Sequence, residues 1–151
     1  MKKAMKSTMV VAVLATIIFT ILYRTTENSV MQNRADLSKT WYQQRRWEEK
    51  LYKKLHVKKW KSKMPTYEPE NFDLRIHTPE EIAGAMCQAE LSHEVIVIFS
   101  FLPLLTVPAF GAFWVFLITS VLSAMIDLSF AIMQRYNRPR IMKLCKRRKK
   151  N

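Results

Sequence analysis

The chain has only two glycines, Gly84 and Gly111, among 151 residues. A phosphate-cradling loop needs several glycines close together, so a Gly-rich nucleotide site is excluded. Its two cysteines, Cys87 and Cys145, form neither a metal-ligand pattern nor a disulfide framework. Each reads as an inert thiol facing a reducing compartment. Lys2, Lys3 and Lys6 precede an apolar run from Met9 to Tyr23, but no small-x-small cleavage motif follows; the exit reads Ile21, Leu22, Tyr23, Arg24. The reading this favours over a cleaved signal peptide for residues 1–23 is an uncleaved signal-anchor. The run is short for a hydrocarbon core of about 30 Å, so Lys6 would have to snorkel. Charge itself is missing from one long block: Val95 to Met133 carries a single ionisable group of either sign outside histidine, Asp127.

What is present is positive charge, a net +13. Such an excess can mark a nucleic-acid binder. Here it flanks apolar segments, which is the positive-inside pattern, and it also suits anionic lipid headgroups. The partners expected are therefore membrane lipids and not nucleic acid. Residues 24–77 form a basic segment with interleaved aromatics, among them Trp41, Tyr42, Trp47, Tyr52 and Trp60. Leu37, Trp41, Trp47, Leu51 and Leu55 fall roughly on one helical face between lysines and arginines. That pattern fits an interfacial helix in the headgroup plane, or an amphipathic helix packed on the protein's own core.

Residues 78–151 predict a helical membrane hairpin with a basic tail. Thr78, Pro79 and Glu81 make a capping box that opens a helix. As one helix, Val95 to Met133 would run for about 58 Å, nearly twice a bilayer core. Two spans with a reversal at Pro108 and Gly111 fit better. The fold class expected is all-α and integral to a membrane, multi-pass, with an N-terminal anchor, a basic interfacial region and the hairpin. Thirteen Lys/Arg lie between Arg24 and Arg75 and nine between Arg135 and Lys150. A hairpin puts both groups on one side, which should be cytoplasmic. The N-terminus is then outside if the first run spans, against its three lysines. A cleaved or re-entrant first segment would remove that conflict, and the residues leave these alternatives open.

With the turn near Phe110, residue 93 is level with about residue 127. Glu90, His93 and Glu94 share one helical face by their spacing. A histidine beside a carboxylate can act as a general base, the carboxylate holding the ring tautomer. His93 and Glu90 are thus the candidate catalytic pair; the plainer reading is that they mark where the helix meets water. His93 with Glu90 and Asp127 offers three ligand types for a metal, but no second histidine is near, and no metal is expected. Cys87 reads as a buried thiol.

The arginine-rich stretch after the apolar block, QRYNRPR at 134–140, joins VKKWKSKMP at 57–65 and TPEEIAGAMCQAELSH at 78–93 in a further pattern. On these three blocks, between Trp41 and Arg140, the chain resembles the glycosyl-4,4'-diaponeurosporenoate acyltransferases, small membrane proteins of bacterial carotenoid pathways. The resemblance implies esterification of a sugar hydroxyl on a glycosylated carotenoid, or a similar glycolipid, by a fatty acyl group in the bacterial cell membrane. The chain departs from the family pattern at Asp127 and Ser129, where asparagine and proline are expected, so the resemblance carries acyl transfer further than it carries the acceptor. On this reading no cofactor is bound, the donor is an acyl-coenzyme A or another acyl carrier, and other pathway enzymes are candidate partners. Arg135, Arg138 and Arg140 would grip the donor's phosphates or lipid headgroups. Gln134 or Asn137 would donate to the oxyanion, and Trp60 and Lys61 would line the substrate side. The alternative is a non-enzymatic membrane adaptor that binds anionic lipid or a partner enzyme.

Overall fold

The computed structural model describes residues 35–66 and 69–148, together with Val10, Leu14, Ile18 and Ile21. The rest of the expected anchor over 1–23 lies outside the described residues. Every regular element among the described residues is helical. A 3-10 turn at Thr40–Tyr42 leads into a helix at Arg46–Lys54, a short one at Val57–Trp60 and 3-10 turns at Lys61–Lys63 and Pro69–Phe72. Two long helices follow, Pro79–Phe99 and Phe113–Arg148.

The first long helix starts where the sequence predicts. The Glu81 carboxylate accepts from the Thr78 backbone N–H at 2.7 Å and the Glu81 N–H donates back to Thr78 Oγ1 at 3.3 Å, the reciprocal capping box. The sequence offers no stop before Pro103, and the helix ends at Phe99, one turn ahead of it. Pro103 has no N–H to give the Phe99 carbonyl, and Ser100 Oγ turns back onto the Ile96 carbonyl at 2.9 Å. A 3-10 run at Leu102–Thr106 and a short helix at Val107–Phe110 then carry the chain to its reversal. Gly111, at φ 65° and ψ −145°, and Ala112, at φ 55°, complete the turn.

The second long helix is 36 residues, about 54 Å at 1.5 Å per residue. It does not end with the apolar block. QRYNRPR is helical throughout, with Pro139 inside the helix.

Both long stretches, Pro79–Ala109 and Phe113–Arg148, are apolar enough to cross a membrane. Only 22% of the most apolar window of each is buried. A soluble core helix would bury most of such a window, whereas these expose Ile98, Leu105, Trp114, Ile118, Leu122 and Ile126.

The chain forms two compact units. One comprises Met1–Gln32 and Ser92–Phe130, the other Asn33–Leu91 and Ala131–Asn151. In the first, described from Ser92 on, the two helical limbs meet through Ser100 Oγ and Ser123 Oγ at 3.3 Å. In the second, Ile82, Ala83, Cys87, Val57, Tyr42 and Tyr52 are buried, and so are the charged Glu48, Glu90 and Arg138.

A His–Asp pair and a four-charge lock

The first unit holds His93. Its Nδ1 lies 2.8 Å from Asp127 Oδ1, the residue that the hairpin register sets level with it. The ring stacks on Phe130 at 4.9 Å between centroids and 11° between planes. His93 is buried and Asp127 nearly so. A carboxylate on Nδ1 fixes the tautomer that leaves Nε2 as the base and stabilises the imidazolium formed on protonation. The sequence reading gives that job to Glu90. The structure gives Glu90 a different one, because both its oxygens are taken by arginines.

That happens in the second unit. Arg135 Nη1 donates to Glu90 Oε1 at 2.6 Å, while its Nε and Nη2 form a fork on Glu48 at 3.0 and 2.9 Å. Arg138 donates to the other Glu90 oxygen and to the Tyr42 carbonyl. Two carboxylates and two guanidiniums cancel in charge, and Glu48, Glu90 and Arg138 are all buried. Burial pushes the Glu48 carboxyl up, but the hydrogen bond and charge of Arg135 outweigh it and hold it below its ordinary value. Tyr52 donates to Glu48 at 3.0 Å; burial, with the Glu48 charge beside it, raises its hydroxyl above the usual range.

The remaining motif residues close around Tyr136. Its ring meets the edge of Tyr52 at 5.7 Å and has Lys61 Nζ and the Arg140 guanidinium each 4.9 Å from its centroid. Lys61 also donates to Asn137 Oδ1, so the first and third sequence blocks are joined here. Burial, with the like charges of Arg140 and Lys58, lowers the Lys61 ammonium from its ordinary value. Trp60 turns its indole N–H onto the Leu55 carbonyl at 3.0 Å. Gln134 is buried.

Arg135 and Arg138 therefore stand as internal ion-pair partners, and only Arg140 of the three arginines is exposed. Beside them is a cavity of about 330 Å³ lined by Gln43, Gln44, Pro139, Met142, Lys143 and Lys146, among others. Neither Lys143 nor Lys146 has an ion pair among the described residues. Among those residues no cluster of three or more His, Cys, Asp or Glu could hold a metal ion.

The sequence reading misses Glu48, and it names Tyr42 only as one of the interleaved aromatics. Glu48 had one usable signal, an acid four residues before a tyrosine in a basic stretch, which puts the two on one face of a helix. Asp127 was weighed as a metal ligand and not as the partner of the ring.

The model of the glycosyl-4,4'-diaponeurosporenoate acyltransferases matches residues 38–147, more than two thirds of the chain. The chain belongs to this acyltransferase family. The match takes in the His93–Asp127 pair and every member of the four-charge lock. It ties this acyltransferase-family chain to carotenoid biosynthesis at the level of the family. Neither the comparison with curated proteins nor that with solved structures gives a match.

Proposed function

We propose that the protein is an integral membrane acyltransferase that esterifies a sugar hydroxyl of a glycosylated carotenoid or similar glycolipid with a fatty acyl group. The observation that carries the reading is the buried His93–Asp127 pair at 2.8 Å within a chain of this family. His93 Nε2 takes the proton of the acceptor hydroxyl as the oxygen attacks the acyl carbonyl. Asp127 orients the ring through Nδ1 and stabilises its charged form. The imidazolium then returns the proton to the leaving group, a coenzyme A thiol or another acyl carrier. Glu90 has no part in the proton transfer; it holds Arg135 and Arg138.

Both substrates carry long apolar chains, and the exposed apolar faces of the two long helices support a site served from the bilayer. The two helices cross it as a hairpin, with the basic segment and the C-terminal tail in the cytoplasm. The adaptor reading loses support from the same geometry. An adaptor needs positive charge and aromatics at its surface but no buried histidine–carboxylate pair such as His93–Asp127.

The test is lipid and pigment profiling of a deletion strain carrying the full-length protein or a variant at equal membrane level. His93→Ala should lower formation of the esterified glycolipid by about 10²–10⁴-fold, the usual worth of a general base. Asp127→Asn, which keeps a hydrogen-bonding group on the ring, should lower kcat with KM nearly unchanged. Product formation at the wild-type rate by His93→Ala sinks the proposal.

A further inference from the structure

The Arg46–Lys54 helix is turned in a way its composition does not suggest. Its most apolar residues, Trp47 and Leu51, recur every four positions with Leu55 at its C-cap, so the stripe drifts by only about 40° per step. A helix packed on its own protein would bury that stripe. Here Trp47 is 57% exposed, Leu55 43% and Leu51 36%, while Glu48 and Tyr52 are 2% and 5%. The four-charge lock sets the rotation. Glu48 is forked onto Arg135, and Tyr52 donates to Glu48 and meets the Tyr136 ring edge-on. With that pair turned inward, the apolar stripe lies beside the buried face, and Lys50 and Lys54 lie along its other edge, both exposed.

We propose that this stripe docks on the surface of an anionic bilayer. Trp47, Leu51 and Leu55 enter the boundary between headgroups and acyl chains, and Lys50 and Lys54 meet lipid phosphates. Tryptophan and leucine next to lysine is the composition of a helix lying in that boundary. Each lysine near such a surface contributes attraction to anionic lipid. The same chain carries two helices apolar enough to span a membrane, so the bilayer is the apolar phase nearest at hand. A protein partner would face an apolar strip edged on one side by lysine only, with no acid on that edge to complement. Docking would tie the Glu48 end of the lock to the membrane surface.

The experiment uses the full-length protein in liposomes whose phosphatidylcholine carries bromine high or low on the acyl chains, with and without phosphatidylglycerol. Tryptophan quenching is compared between wild type and Trp47→Phe, and the difference isolates Trp47 from the other three tryptophans. Docking predicts that Trp47 is quenched more by shallow than by deep bromine, and at least twofold more strongly with phosphatidylglycerol present. A nitroxide on Leu55→Cys should be reached by oxygen more than by a water-soluble nickel complex. Quenching of Trp47 by aqueous acrylamide and not by brominated lipid overturns the proposal, as does a Leu55→Cys label shielded from both oxygen and nickel, the sign of a protein partner. Equal quenching in zwitterionic vesicles overturns the claim for anionic lipid. Trp114→Phe serves as the reference: if Trp114 also escapes brominated lipid, the membrane-spanning reading fails, and if only Trp47 escapes, the docking alone fails.

Discussion

At the scale of single residues, the motif QRYNRPR shows how composition misleads about direction. Three arginines after an apolar block read as a surface for phosphates. Arg135 and Arg138 instead face Glu48 and Glu90, which lie 87 and 45 residues from Arg135 in the chain. No local pattern announces such a pairing. A buried ion pair gives little net stability, but removal of one partner is costly because an unpaired charge stays behind. Glu90→Gln leaves both guanidiniums short of a counter-charge, and should destabilise the protein by about 3–5 kcal/mol. Glu49→Gln, one helix position from Glu48 and exposed, should stay within about 0.5 kcal/mol of wild type. Thermal unfolding in detergent micelles followed by circular dichroism checks both. An unchanged midpoint for Glu90→Gln would mean that the lock does not hold the fold. His93 was legible as a candidate base because its neighbours in sequence are acids. Its real partner, Asp127, needed the hairpin register as well.

At the scale of elements, local signals mark both the start and the end of the first long helix. Thr78 and Glu81 cap the first long helix as their spacing predicts, since a cap involves only one turn of chain. That helix ends at Phe99, one turn ahead of Pro103, before which the sequence offers no stop. In the second long helix Pro139 removes a backbone donor, yet the helix continues to Arg148. The ion pairs of Arg135 and Arg138 lie in the turn just before that position, and Arg140 just after it reaches back to the Tyr136 ring. The turn between the long helices rests on Gly111, whose φ of 65° with ψ of −145° belongs to a region open essentially to glycine. A Cβ placed there would meet nothing within 4 Å, so the obstacle to a side chain is the backbone conformation and not space. Gly111→Ala should therefore cost about 1–3 kcal/mol, read as a lower unfolding midpoint with the reaction of surviving folded protein unaltered. An unshifted midpoint would show that the turn relaxes freely.

At the scale of the whole molecule, the proposed topology rests on the distribution of charge. The basic stretches around Lys58 and Lys143 belong to one compact unit, and the proposed hairpin puts them on one side of the membrane. The proposed topology follows the positive-inside bias and puts that side in the cytoplasm. In sealed right-side-out vesicles, a membrane-impermeant amine reagent should leave Lys58 and Lys143 unmodified until the vesicles are opened, as read by peptide mass spectrometry. Modification of both in intact vesicles would reverse the topology. Because of the lock, scrambling the order of residues 134–140 would not separate an enzyme from an adaptor. Any rearrangement that moves Arg135 or Arg138 unpairs Glu90, so loss of activity would follow for an enzyme and an adaptor alike; substitutions at His93 and Asp127 separate the two.

The amino-acid sequence by itself determined the helical class, the long apolar helices, the capped start at Thr78, the hairpin with residue 93 level with 127, and the family. All of these follow from periodicity, length and short-range chemistry, or from motifs that survive in linear order. Only the tertiary structure decided which carboxylate serves the histidine, which charges are internal, and which side of the Arg46–Lys54 helix is exposed. Those outcomes depend on pairings between residues far apart in the chain, and a buried charge takes the partner that the fold brings to it, not the one beside it in sequence.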